Sequence, residues 1–243
     1  MKSISVFVVA TFVALASAPA HAEMIVNGGF EAGFTGWTRV DAIGSDGTFF
    51  LQSGTSSPVN GFPVPPPPEG TTAAMTDAEA GGSHVLYQDF LVPASVGQTT
   101  LSFQAFIQNG AIDFFTPDHL EWSTSDLNQQ ARVDILLPGL DPFTVSASDV
   151  LLNVFQTKVG DAPVSGYDLI SADITSVLNA HPNETLRLRF AEVDNVSFFN
   201  FGVDDVRFVT VQALPEPATF LLALAAFLTL AVAIPKSARR TFE

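Results

Sequence analysis

Large apolar residues alternate with small or polar ones through much of the chain, and the alternation is clearest in four stretches. Leu101-Ser102-Phe103-Gln104-Ala105-Phe106-Ile107 keeps a period of two, and Ala131-Arg132-Val133-Asp134-Ile135-Leu136-Leu137 does so for most of its length. Leu186-Arg187-Leu188-Arg189-Phe190 alternates strictly, as does Phe201-Gly202-Val203-Asp204 ahead of Val206-Arg207-Phe208-Val209. A period of two puts one side of a strand in a core and turns the other to water. Turn-rich stretches separate these runs and no fixed repeat links them, so the pattern predicts an all-β antiparallel β-sandwich rather than a helix-connected parallel sheet. Short helices are predicted as decorations over 148–159 and 172–179, where Asp149 and Asp173 favour a first turn. Pro58 to Gly70, with consecutive prolines from Pro65 to Pro68, lacks the N–H donors of a central strand. It is expected as a stiff, exposed polyproline-like loop, with a Pro-rich ligand for another protein as the alternative.

At both ends the alternation gives way to continuous apolar runs. After Lys2 the chain is apolar from Ile4 to Ala16 and closes on Ala20-His21-Ala22. This is the layout of a secretory signal peptide over residues 1–22, with Ala20 and Ala22 framing a cleavage site before Glu23; a retained anchor is the alternative, for which the run is short. At the other end Pro215-Glu216-Pro217 leads into an uncharged run from Ala218 to Ile234, followed by Pro235, Lys236, Arg239 and Arg240. As a helix, 218–234 is about 25 Å long, a marginal transmembrane span against a hydrocarbon core of ~30 Å. The basic flank keeps the tail cytoplasmic and places the intervening body beyond the inner membrane. That body, residues 23–211, is long enough for one sandwich with its own core.

Composition narrows the chemistry. Charged residues make up 14% of the chain and hydrophobic ones 47%, much of the excess lying in the terminal runs. Between residues 23 and 214 six basic groups face 23 acids. No basic stripe is available to displace counterions from phosphates, so nucleic acid is excluded as a partner. The absence of cysteine removes disulfides, Cys-ligated zinc, iron–sulfur clusters and thiol nucleophiles. The body must hold by burial, or with help from a hard cation. Most of the 22 phenylalanines are expected in the core.

Two resemblances follow. The Pro215-Glu216-Pro217 triplet, the apolar helix 218–234 and the Arg239-Arg240 tail, together spanning 212–243, resemble the PEP-CTERM sorting signal. The resemblance implies recognition by an exosortase-type processing enzyme, transient anchoring in the inner membrane, cleavage near the motif, and delivery to the cell surface or an extracellular polysaccharide matrix. The basic cluster is more spread than in that pattern, since Pro235 to Ala238 intervene. Within the body, Asn27-Gly28-Gly29-Phe30-Glu31-Ala32-Gly33 with Gly36-Trp37, then Tyr87-Gln88-Asp89-Phe90, Asp173-Ile174 to Phe190, and Gly202-Val203-Asp204-Asp205-Val206-Arg207-Phe208 resemble the galactose-binding-like jelly roll of many carbohydrate-binding modules. That second resemblance implies a structural Ca²⁺ held by Glu31 and Asp204, with Asn27 and Asp205 as further ligands. The alternative is that Glu31 caps a turn while the aspartates flank a sheet edge.

Sugar recognition requires exposed aromatic faces beside polar groups. The inventory is Trp37, Tyr87, Trp122 and Tyr167; Trp37 is expected in the core, while Trp122 within Asp118-His119-Leu120-Glu121-Trp122-Ser123 and Tyr87 are the binding candidates, with Phe114-Phe115 as a weaker loop site. The sequons at Asn183 and Asn195 carry no weight in a bacterium. Enzyme signatures are absent: His84, His119 and His181 are not spaced as a helical zinc pair, and there is no Gly-x-Ser-x-Gly elbow, Gly-x-Gly-x-x-Gly or Walker loop. The expectation is a non-enzymatic exported protein that associates with exopolysaccharide. A specific lectin-like module, a purely structural surface protein and, more remotely, a polysaccharide-acting enzyme stay open.

Overall fold

A computed structural model describes residues 24–211. The signal peptide with Ala20 and Ala22, the helix at 218–234, and the sorting residues Pro215, Glu216, Pro217, Arg239 and Arg240 lie outside the described residues. Among the described residues no helix is long and apolar enough to cross a membrane.

The alternating stretches are strands. In chain order the elements are β1 (Thr38–Asp41), β2 (Thr48–Gln52), β3 (Ala73–Asp77), β4 (Gly82–Leu91), β5 (Gln98–Asn109), β6 (Gln129–Leu136), β7 (Val150–Gln156), β8 (Asp168–Asp173), α1 (Thr175–Ala180), β9 (Thr185–Asp194) and β10 (Phe199–Val211). They form two five-stranded antiparallel sheets, ordered β1-β4-β9-β6-β7 and β2-β3-β10-β5-β8. The eight strands from β3 to β10 pair as first with last, β4 with β9, β5 with β8 and β6 with β7, alternately in one sheet and the other. That is a rolled antiparallel ribbon, the jelly roll. β1 and β2 lengthen one edge of each sheet.

The core lies between the sheets, as the period-two pattern requires. Leu186, Leu188 and Phe190 of β9 meet Phe103 of β5 and Phe201 of β10, with Phe190 and Phe103 edge to face at 5.3 Å. Trp37 is buried against Phe30 and Phe190, as expected. The other side of β9 departs from expectation. Arg187 and Arg189 are not turned to water: both are buried, Arg189 under the connection from β6 to β7, which accepts from it at the Pro142 and Thr144 carbonyls (2.8 and 2.6 Å), and Arg187 over the Tyr87 ring, donating to Asp89 at 2.6 Å.

Of the two predicted helices one is corrected and one confirmed with later bounds. Residues 150–156 form β7 against β6, and Asp149 serves a turn by accepting from the Ser148 and Thr144 hydroxyls. α1 begins at Thr175, whose N–H donates to Asp173 at 2.9 Å. The Pro-rich segment is irregular, apart from a bridge between Ser56 and Pro63, and it buries Val64 on the outer face of the second sheet.

Candidate functional site

Three connections meet at one end of the sandwich: Ala78–Gly81 between β3 and β4, Trp122–Leu127 ahead of β6, and Asn195–Phe198 between β9 and β10. They line a groove of about 570 Å³, within the ~300–1,000 Å³ range of small-ligand sites. Its walls are stitched together by amides. The Asn195 side chain donates to the carbonyls of Trp122 (3.0 Å) and Asp126 (2.8 Å) and accepts from the Asn128 N–H (2.8 Å). Gln129 donates to the Ser197 carbonyl at 3.0 Å and accepts from the N–H groups of Val196 and Ser197. On the third wall, Asp46 accepts from the N–H groups of Glu79 and Ala80 (2.8 and 2.9 Å). The Asn195 sequon is thus occupied by structural work.

Trp122 and Phe198 are the aromatic faces of the groove, each half-buried. Trp122 rests on a small apolar cluster of Val85, Leu120, Ala191 and Val193. Its indole Nε1–H is buried without an acceptor among the described residues. Around it stand exposed hydroxyls of Ser123, Thr124 and Ser125 and the carboxylates of Asp126 and Glu79.

Under this end lies a buried group of three titratable side chains. The β4–β9 register sets His84 opposite Glu192 and Gly82 opposite Asp194, so the period of two turns all three side chains to the inner side. Their ligating atoms lie within 4.8 Å of one another. His84 Nδ1 donates to Asp41 at 2.8 Å, and Asp194 accepts from the Gly82 N–H at 2.8 Å. Burial pushes Glu192 well above the usual carboxylate range and raises Asp194 to about 7. Asp194 also lines the groove.

The residues named for calcium meet at another concavity, where the N-terminal segment docks on β10. Asn27, Glu31, Glu69 and Asp205 line it, with Asp204 alongside. Each has partners within the chain. Glu31 accepts from the N–H and hydroxyl of both Thr71 and Thr72 (2.8–2.9 Å), which lowers its carboxyl to about 2. Asp204 accepts from the N–H groups of Glu69 (2.9 Å) and Asp205 (2.7 Å), and burial, reinforced by the Glu69 and Glu31 charges, raises it to about 7. Asn27 closes its own turn, donating to the Gly33 and Thr35 carbonyls and accepting from the Ala32 N–H. Asp205 pairs with Arg207 at the bulge of β10.

Tyr87 and Trp122 border the same apolar cluster, but Tyr87 does not line the groove; its ring lies beneath the Arg187 guanidinium at 3.6 Å. Tyr167 is largely buried and donates to Gln52. Phe114 packs in the core against Phe199 rather than standing in an open loop. Sequence reasoning named Trp122 but not Phe198, Glu192 or Asp194, and it met His84 only as one of three histidines not spaced as a helical zinc pair. Alternation alone shows that Glu192 and Asp194 share a side of their strand; joining them to His84 requires the register.

No protein-family model matches the chain, and no curated protein matches it in sequence. Solved structures similar to it include TmCBM61 in complex with beta-1,4-galactotriose, at 12% identity and a TM-score of 0.44 over 79% of this chain and all of that one. The K3 cleaved adhesin domain of Lys-gingipain from Porphyromonas gingivalis W83 is similar at 16% identity and a TM-score of 0.46, over 77% of this chain and 99% of that one. The Stig cyclase Fisc from Fischerella sp. TAU is similar at 16% identity and 0.42, over 79% and 98%. One sandwich architecture serves many activities, so function has to be read from the site.

Proposed function

We propose that this is an exported, non-enzymatic surface protein whose groove binds a glycan, and that its Pro-Glu-Pro tail delivers it to the cell surface or extracellular matrix. The observation that supports the glycan reading is the groove's make-up: Trp122 and Phe198 as apolar faces, with hydroxyls and carboxylates around them. A pyranose presents a C–H face for the rings and equatorial hydroxyls for the polar groups, and an acidic surface suits a neutral sugar better than a uronate. Export rests on residues 1–22, and sorting by an exosortase-type enzyme on Pro215-Glu216-Pro217, the apolar 218–234 run that anchors the chain in the inner membrane, and Arg239-Arg240. Exopolysaccharide is the partner this destination supplies.

The test is a glycan array and an exopolysaccharide pull-down with the full chain in mild detergent, in calcium and in EDTA. Saturable binding is expected, weakened at least about tenfold by Trp122→Ala, the equivalent of ~1.4 kcal/mol. Leu169→Ala, on exposed β8, leaves it unchanged. Tyr87→Ala separates a site confined to the groove from one that runs along the outer face of β4. No binding in either arm makes the protein a purely structural sandwich, and turnover of the polysaccharide makes it an enzyme. Calcium at Glu31 and Asp204, with Asn27 and Asp205, is a further part of the proposal, since a cation there offsets the burial, and the Glu69 and Glu31 charges, that raise Asp204. A melting temperature unmoved by calcium after EDTA treatment removes it.

A further inference from the structure

We propose that His84, Glu192 and Asp194 form a buried site for one divalent metal ion, and that the ion their chemistry fits is zinc. This goes beyond glycan binding: it concerns the layer under the groove. His84 and Glu192 are 1% exposed and Asp194 3%, and their donor atoms converge within 4.8 Å. Two polar atoms of these side chains, His84 Nε2 and Glu192 Oε1, are buried with no hydrogen-bond partner among the described residues. Buried polar atoms are almost always satisfied, so an orphaned pair within one such cluster marks a missing partner.

The tautomer follows from the neighbour. With Nδ1–H donating to Asp41, Nε2 carries the lone pair that a metal takes, in the carboxylate–histidine–metal arrangement that orients imidazole ligands. One Asp194 oxygen is held by the Gly82 N–H, which leaves the other for the ion. Gly82 also makes the room. A Cβ at this position would collide with His84 Nε2 and lie 3.0 Å from the Asp46 carbonyl oxygen, so the missing side chain opens a space bordered by both, and that carbonyl is at hand as a fourth ligand.

Charge gives the reason. Glu192 and Asp194 are joined by Asp41 from β1 and the Asp46 carboxylate from the following loop, and no arginine or lysine of the described residues pairs with any of them. Two carboxylates in a dry interior need protons or a cation as compensation. Calcium prefers six to eight oxygens, whereas one imidazole nitrogen and two carboxylates suit tetrahedral zinc. The ion ties β4 to β9 and, through Asp41, to β1; through Asp194 it steadies the floor of the groove.

The test uses the full chain, purified without a metal column, stripped with EDTA and titrated with zinc by calorimetry and with Co²⁺ as a spectroscopic probe. One equivalent of zinc is expected with a dissociation constant of about 1 μM or tighter, with visible Co²⁺ bands of a low-coordinate N,O site and a raised melting temperature. His84→Gln and Glu192→Gln each weaken zinc by about 100-fold or more, ligand loss costing at least what outer-shell loss does. His119→Ala and His181→Ala, which remove the other imidazoles of residues 24–211, leave it unchanged. Glu192→Gln keeps the side chain's shape, so it and the Co²⁺ spectrum of the unaltered chain decide the matter if His84→Gln does not fold. Zinc binding that is absent, undiminished in Glu192→Gln, or lost instead with His119 or His181 overturns the site.

Discussion

Asp134 shows how much one side chain does on the roofed face. It is fully buried and accepts from Arg132 Nε and Nη2 (2.8 and 2.7 Å), from Arg189, and from Asn153 Nδ2 (2.8 Å). Arg189 in turn holds the Pro142 and Thr144 carbonyls, so the carboxylate anchors the roof at second hand. Removing it strands a fully buried guanidinium, for which the usual loss is about 3–5 kcal/mol. Asp134→Ala is therefore expected to lower the unfolding free energy from urea titration by that margin and to release the 137–149 connection to protease. The pH dependence has a definite sign. Burial pushes the Asp134 carboxyl up, but the two guanidiniums outweigh it and hold it below the usual carboxylate range. A lowered folded-state pKa gives stability that is complete above the unfolded value, about 3.9, and is lost as pH falls through the lowered one. Urea midpoints measured below about pH 4 should fall steeply in the parent chain and less so in Asp134→Asn.

At the scale of elements, the N-terminal segment closes the sandwich by touching both sheets. Val26 exchanges two hydrogen bonds with Gln88 of β4 (2.7 and 2.9 Å), and the Gly28 carbonyl accepts from Val206 of β10 at 3.0 Å. Gly28 has no room for a side chain: a Cβ would strike the Val206 carbonyl oxygen. Gly28→Ala is expected to cost about 1–3 kcal/mol and to speed proteolysis within 24–37, with binding in the groove retained. β7 carries the opposite lesson. Val150, Leu151, Val154 and Phe155 recur at helical spacing behind Ser148 and Asp149, so local pattern favours a helix. Pairing with β6, with two shifts of register, overrides that preference, because an open edge of the sheet needs hydrogen-bond partners more than the segment needs its own.

For the whole molecule the formal charge is −15, concentrated in a body framed by two apolar ends. A net charge of that sign disfavours nucleic acid and anionic lipid as partners. The proposed sorting role of the Pro-Glu-Pro triplet is testable separately from the fold. Replacing Pro215, Glu216 and Pro217 together by alanine is expected to leave the body folded and to shift the protein from the surface or matrix fraction to the membrane fraction, as read by cell fractionation in the native host. If the distribution is unchanged, the triplet is no sorting element.

The fold was largely legible along the chain because sheet burial has a period of two: β5, β6, β9 and both halves of β10 announced themselves, and the break at Asp205 is the observed bulge. Trp37 was readable as core, since its turn is local and closed by Asn27. Legibility stopped where partners are distant. That the polar side of β9 is buried depends on a connection folding back over it, and no local pattern in Leu186 to Phe190 encodes that roof. The groove takes one wall from each of three connections, so Phe198 and Trp122 have no relation until β6 is paired with β9. His84 and Glu192 meet through the β4–β9 register alone. Alternation is a local property of the backbone and is written in the residues; convergence of side chains is a property of strand order and register, and only the assembled sheets supply it.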